Sequence, residues 1–235
     1  MTIAGTIAGA SPTPVTTRPR TRHWWRWILG GVVVLSAVVV AAIGLFVTLQ
    51  SAPNPLVLPA GTTSMPVGPL EGTWGVTTGS VAGFRVTESF LVFSNDVVGR
   101  TDTVTGSLNV ADNHVAEAGF RVDLTTIEVG GKSQTAFAKS LDTAQHPNAT
   151  ISLSDPFTLT DTFTSGSRIT RTVAGDLTMR GMTRPVTISL SARRDGTLLQ
   201  AAGSIPIDFS RWGIENPQGL ADHGIAEFLL VLHRT

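Results

Sequence analysis

The sequence predicts an all-β antiparallel domain, either a sandwich or a closed barrel, from three observations. Apolar and polar side chains alternate with a period of two over many short runs, which places successive side chains on opposite faces of a strand. Turn residues separate the runs, at Ala111-Asp112-Asn113, Arg180-Gly181 and Asp195-Gly196. The chain of 235 residues has room for one such domain, and short strands that close on themselves leave no edge to pair with other chains.

The β pattern begins only after an N-terminal region of different composition. Residues 1–70 hold four arginines and no acidic residue, while the remainder carries 13 basic and 17 acidic residues. Ile28 to Leu49 is free of charge and rich in Val, Leu, Ile and Ala, long enough for a helix to cross the roughly 30 Å hydrocarbon core. Arg18, Arg20, Arg22 and Arg26 precede it and no charge follows until Glu71. The positive-inside rule therefore predicts a single-pass protein of the cytoplasmic membrane, N-terminus inside and the β domain extracytoplasmic, with Trp24, Trp25 and Trp27 at headgroup level. The apolar run exceeds the roughly 7 to 15 residues of a signal peptide and Gln50-Ser51-Ala52 is a poor cleavage site, so an uncleaved anchor is expected. The expected organisation is a cytoplasmic tail over 1–27, a transmembrane helix over 28–49, a Pro-rich linker over 50–70 and the β domain over 71–235. Pro53, Pro55, Pro59, Pro66 and Pro69 make that linker an extended, semi-rigid spacer.

Within 71–235 the strands follow in order. Strands are expected near 84–93, with Phe84, Val86 and Phe93, and near 104–110. Phe120, Val122 and Leu124 alternate with Arg121, Asp123 and Thr125. Further strands are expected at 149–154 and 157–163. Val173, Leu177 and Met179 share a face with Gly175; Val186, Ile188 and Leu190 alternate with Thr187, Ser189 and Ser191; Ile205, Ile207 and Phe209 alternate with Ser204, Pro206 and Asp208. The last strand, near 225–233, contains Phe228. One stretch has a different period. Between Lys132 and Ala144, Phe137, Leu141 and Ala144 fall at i, i+4 and i+7, with Ser133 as a candidate N-cap and Pro147 beyond, predicting a short helix that closes one end.

Several motifs carry a resemblance. Gly72-Thr73-Trp74, Ser80-Val81-Ala82-Gly83-Phe84-Arg85-Val86, Val98-Gly99-Arg100 and Val104-Thr105-Gly106-Ser107-Leu108 stand in this order. Phe120 to Ile127 and Ser140-Leu141-Asp142 to His146-Pro147 come next. The hairpin Val173-Ala174-Gly175-Asp176-Leu177-Thr178-Met179-Arg180-Gly181-Met182-Thr183-Arg184-Pro185-Val186 and the run Ile207-Asp208-Phe209-Ser210-Arg211-Trp212-Gly213-Ile214 complete the set. Together they resemble the YceI-like, polyisoprenoid-binding family. The chain departs from that pattern at Thr77 and Gly79-Ser80, where the family has an Asp and a His, and at Gly130-Gly131-Lys132-Ser133, where it has charges. The resemblance implies a lipocalin-like antiparallel barrel of about eight strands around an elongated apolar cavity for an isoprenoid or similar lipid chain. The inward row of Phe, Val, Leu and Met is by itself equally the pattern of a filled core, with Gly175 and Gly203 as inward positions that leave room.

Chemistry is hard to place elsewhere. Cysteine is absent, which excludes disulfides, thiolate metal sites and cysteine nucleophiles. No G-x-S-x-G, P-loop, G-x-G-x-x-G or H-E-x-x-H motif occurs, and the five histidines have no ligand-like spacing. No catalytic residue, metal, cofactor or nucleic-acid partner is expected. The predicted cavity wall comprises Phe84, Val86, Phe93, Phe120, Val122, Leu124, Phe137, Leu141, Val173, Leu177, Met179, Ile188, Ile207 and Phe228. Arg180, Arg184 and Arg211 are candidates for a lipid head group, since a guanidinium fork suits pyrophosphate or carboxylate. The expected function is lipid binding at the membrane; the alternatives are a packed barrel serving as an interaction module and, less favoured, a lipid-modifying enzyme.

Overall fold

Alternating side chains give a sheet two unlike faces, and the apolar face is buried when the sheet curls around it. The computed structural model describes residues 52–61, 65–90, 93–130, 132–133, 135–215 and 221–235; the predicted anchor lies outside them. Residues 52–235 form one compact unit. Its strands are β1 (Gly72–Val76), β2 (Val81–Phe90), β3 (Phe93–Thr101), β4 (Val104–Ala111), β5 (His114–Asp123), β6 (Glu128–Val129) and β7 (Lys132–Ser133). They continue with β8 (Asn148–Leu153), β9 (Phe157–Thr158), β10 (Ile169–Met179), β11 (Met182–Asp195), β12 (Leu198–Asp208) and β13 (His223–Arg234). Helices α1 (Thr135–Leu141) and α2 (Asp161–Thr164) and the 3₁₀ turns η1 (Leu124–Thr126) and η2 (Phe209–Trp212) interrupt them.

Eight strands close an antiparallel barrel in the order β1-β4-β5-β8-β10-β11-β12-β13, with β13 returning to β1. Closure is shared along β13: Ile225 to Leu229 pair with β2, while Leu232 to Arg234 pair with β1. β2 then carries β3, β6 and β7 as an extension of the sheet. The tight hairpins match the predicted turns. Asp112 and Asn113 (φ 50° and 60°) join β4 to β5, and Arg180 and Gly181 (φ 48° and 72°) join β10 to β11. Both central residues of such a turn need positive φ, which matches the right-handed twist of the strands.

The two ends of the barrel are capped differently. At one end lie the Asp112-Asn113 turn, the β11–β12 hairpin and α2; at the other lie the Arg180-Gly181 turn, η2 and α1. Trp74, Val110, Val115, Leu159, Phe163 and Leu232 form a buried cluster at the first end. Leu177, Met179, Ile207, Ile214 and the fully buried Trp212 form a second at the other. Trp212 is held there by its indole N–H, which donates to the Met182 carbonyl at 3.2 Å.

Three elements differ from the sequence reading. The expected strand 157–163 is a two-residue strand followed by α2, because the Thr160 carbonyl accepts from the Phe163 and Thr164 amides and turns the backbone. Ser133, the candidate N-cap, belongs to β7. The expected spacer is not free of the barrel: the described parts of 52–70 lie along its outer wall. The Leu56 amide donates to Glu227 at 3.1 Å, Arg85 donates to the Pro53 carbonyl at 2.6 Å, and Arg100 donates to the Asn54 carbonyl. Farther along, Arg193 donates to the Ala60 carbonyl at 3.0 Å and Arg194 to the Val67 and Gly68 carbonyls at 3.1 and 2.9 Å. Proline supplies no N–H of its own, so an extended Pro-rich strand offers mainly carbonyls, and arginine, with donors only, is their complement.

Candidate functional site: an apolar cavity in the barrel

The closed sheet encloses a cavity of about 240 Å³ between the two buried clusters. Every apolar site residue predicted from the sequence lines it except Phe93, whose side chain lies outside the described residues. β2 contributes Phe84 and Val86, β5 Phe120 and Val122, and η1 Leu124. β10 contributes Val173, Leu177 and Met179; Ile188, Ile207 and Phe228 come from β11, β12 and β13, and Phe137 and Leu141 from α1. Phe84 and Phe137 meet with ring centroids 5.1 Å apart, joining the helix to the wall.

The inward glycines act differently from the sequence expectation. They do not leave empty space; they let aromatic rings lie down on the wall. Phe228 stands opposite Gly203 in the β12–β13 register and Phe84 opposite Gly99 in the β2–β3 register. A Cβ on Gly203 would collide with the Phe228 ring, and one on Gly99 would come within 2.5 Å of the Phe84 ring. A Cβ on Gly175 would sit 2.8 Å from both Ile188 Cδ1 and the Ser152 carbonyl. Rings laid over glycine fill the wall and leave the axis open, which is how a barrel of this strand number remains hollow.

Sequence reasoning missed the far end of the cavity. Val110, Val115, Leu159 and Phe163 line it there. Phe163 carried a signal, as an apolar residue in a predicted strand, but its inward placement depends on the α2 turn, which the strand reading excluded.

The three candidate head-group arginines are engaged elsewhere. Arg180 donates to the Trp212 carbonyl at 3.4 Å and to the Gly213 carbonyl. Arg184 donates to the Arg211 carbonyl at 3.3 Å, and Arg211 to the Pro185 carbonyl at 3.3 Å while its guanidinium lies 5.4 Å from the Trp212 ring centre. They tie η2 to the β10–β11 hairpin, and none of them lines the cavity. The reason is topological: hairpin and η2 end side by side, and η2 presents carbonyls that no strand pairs.

Glu227 and Gln200, which the cavity lining includes, are both engaged by arginines. Glu227, only 4% exposed, pairs with Arg100 at 3.1 Å and Arg85 at 3.7 Å beneath residues 53–58 of a strap made by the described residues 53–61 and 65–68. Gln200 accepts from Arg193 at 2.7 Å. Among the described residues no group of three or more His, Asp or Glu is placed to hold a metal ion. The cavity lining is mainly apolar, with Ser140, Thr150, Ser152, Gln200 and Glu227 as its polar members, and it favours apolar matter by about 25 cal/mol per Å² removed from water.

Fold and site together define a closed antiparallel β-barrel with an apolar interior. The chain belongs to the family of the YceI-like domain, whose model matches residues 75–229. Among solved structures, it is similar to a polyisoprenoid binding domain from Saccharophagus degradans implicated in plant cell wall breakdown, at 16% identity and a TM-score of 0.55, covering 70% of this chain and 99% of that one. It is also similar to BcnA of Burkholderia cenocepacia, at 18% identity and a TM-score of 0.50, covering 64% and 95% of the respective chains. No curated protein matches the sequence. The strap, residues 53–61 and 65–68, lies outside the stretch that the family model matches.

Proposed function

We propose that this protein is a non-catalytic lipid holder of the cell envelope, anchored in the cytoplasmic membrane through residues 28–49 and keeping an isoprenoid or similar apolar chain in its extracytoplasmic barrel. The observation that carries this reading is the 240 Å³ cavity walled by aromatic and aliphatic side chains. Apolar cavities of about 150 Å³ stay dry and take up hydrocarbons, and each buried CH₂ contributes roughly 0.8 kcal/mol. The similar Saccharophagus degradans protein is a polyisoprenoid binding domain, which supports the same chemistry here. The anchor rests on the charge-free run and the arginines before it.

The test is to purify the full chain from membranes, extract it for mass spectrometry and titrate it with a polyprenol. A retained or bound apolar chain is expected, together with its loss in Leu177→Arg, which would place a charge in the wall. A folded wild-type protein that neither retains nor binds an apolar chain would overturn the reading.

A further inference from the structure

We infer that Phe163 is the stop that sets how long a chain the barrel accepts; this rests on the proposed lipid binding. At the end bounded by α2, Leu159 and Phe163 are buried, Phe163 to 3% exposure, while Phe157 and Ile169 beside them are half-buried. At the other end Phe137 and Leu141 of α1 line the cavity and are half-buried. For Phe163 to act as the stop, a chain enters beside α1, so that its tip reaches α2.

The crossing that carries Phe163 is built as an end wall. β9 pairs with the start of β5 at His114 and Val115, and the Leu159 amide donates to the Asn113 carbonyl at 2.7 Å. The chain then crosses the mouth as α2 and arrives beside the end of β11, where a Cβ on Gly166 would sit 2.9 Å from Pro66 of the strap and 3.5 Å from the Arg194 carbonyl. Both ends of the crossing are thus pinned to opposite sides of the barrel. Behind it, Arg194 lies 5.9 Å from the Trp74 ring centre and holds the strap carbonyls. Phe163 is therefore a side chain on a fixed bar that lines the cavity at this end. Its aromatic ring occupies about the volume of one five-carbon isoprene unit, so its removal lengthens the cavity by about one unit, with the walls unchanged.

The experiment exposes full-length protein in phospholipid vesicles to an equimolar mixture of polyprenols graded in length from farnesol upward, recovers the protein and reads the bound lengths by mass spectrometry. Wild type should show a sharp upper limit of length. Phe163→Ala should raise that limit by about one isoprene unit, and Phe163→Leu, which keeps most of the volume and stands in if the alanine variant does not fold, should enrich the longest accepted chain at least two-fold. Bound prenols with the same length distribution in wild type and the folded variant overturn the stop while leaving lipid binding intact. A wild type that binds no prenol of any length overturns both.

Discussion

At the scale of single residues, glycine and aromatic positions decide the interior together. Gly203 faces the Phe228 ring and also lies close to the Ser189 carbonyl, which a Cβ would approach at 2.7 Å. A ring can rotate away, but a strand carbonyl cannot. Gly203→Ala should lower stability by about 1 to 3 kcal/mol, the usual range for overpacking, as read by chemical denaturation. A change below about 0.5 kcal/mol would show that the ring and strand adjust freely. Asp208 acts at the same scale. Its Oδ1 accepts from the Ser210 hydroxyl at 2.7 Å and the Ser210 amide at 3.1 Å, opening η2. The Ser210 hydroxyl bond, then the amide bond, holds the Asp208 carboxyl below its ordinary pKa. A carboxyl lowered on folding adds stability that is complete above its unfolded value of about 4 and is lost as pH falls through its folded value. Asp208→Asn keeps the cap and removes the titration, so its stability should fall less steeply than that of wild type below about pH 4; equal slopes would exclude this contribution.

At the scale of elements, the strap changes what the Pro-rich segment does. Its proline spacing was legible in the sequence, and its extended form follows from it. Its docking was not legible, because its partners are single arginines scattered over β2, β3 and β11, each ordinary in its own strand. The outcome is visible in what lies beneath: Val98 and Ala202 sit on the outward faces of their strands yet are 5% and 4% exposed. Glu227 joins the strap's Leu56 amide to Arg85 and Arg100. Glu227→Ala removes the buried acid that pairs with Arg100, leaving Arg85 with Asp96 at 3.0 Å, and should destabilise the domain by about 3 kcal/mol, roughly 6 to 12 °C in Tm for a domain of this size. An unchanged Tm would show that the strap and its charges add nothing to the fold. The same scale explains the Arg180, Arg184 and Arg211 result. Their sequence context pointed to a turn, but only the placement of η2 beside that turn supplies carbonyls for them.

At the scale of the whole molecule, the compact unit begins at Ala52, while the predicted span ends at Leu49. Residues 52–61, expected as part of a free spacer over 50–70, belong to the compact unit of the barrel. Membrane anchoring is tested by fractionation. The full chain should sediment with membranes and resist alkaline extraction, whereas a chain lacking residues 1–49 should be released; a full chain found in the soluble fraction would exclude the anchor.

Alternation, turn pairs and motif order in the sequence by themselves determined the all-β class, the barrel family and a part of the apolar wall centred on Phe84, Phe120, Leu177 and Ile188, because side-chain direction along a strand depends only on local backbone geometry. The short helix at Phe137 and Leu141 was legible for the same reason, through its i, i+4 spacing. Only the tertiary structure decided that the barrel is hollow, that Phe163 closes its far end, and that Glu227 and the arginines bind a strap. These depend on which residues from distant strands meet: rings settling over cross-strand glycines, a one-turn helix crossing an open end, and guanidinium groups finding unpaired carbonyls. Burial and hydrogen-bond satisfaction are properties of the assembled sheet, and no local run of sequence contains them.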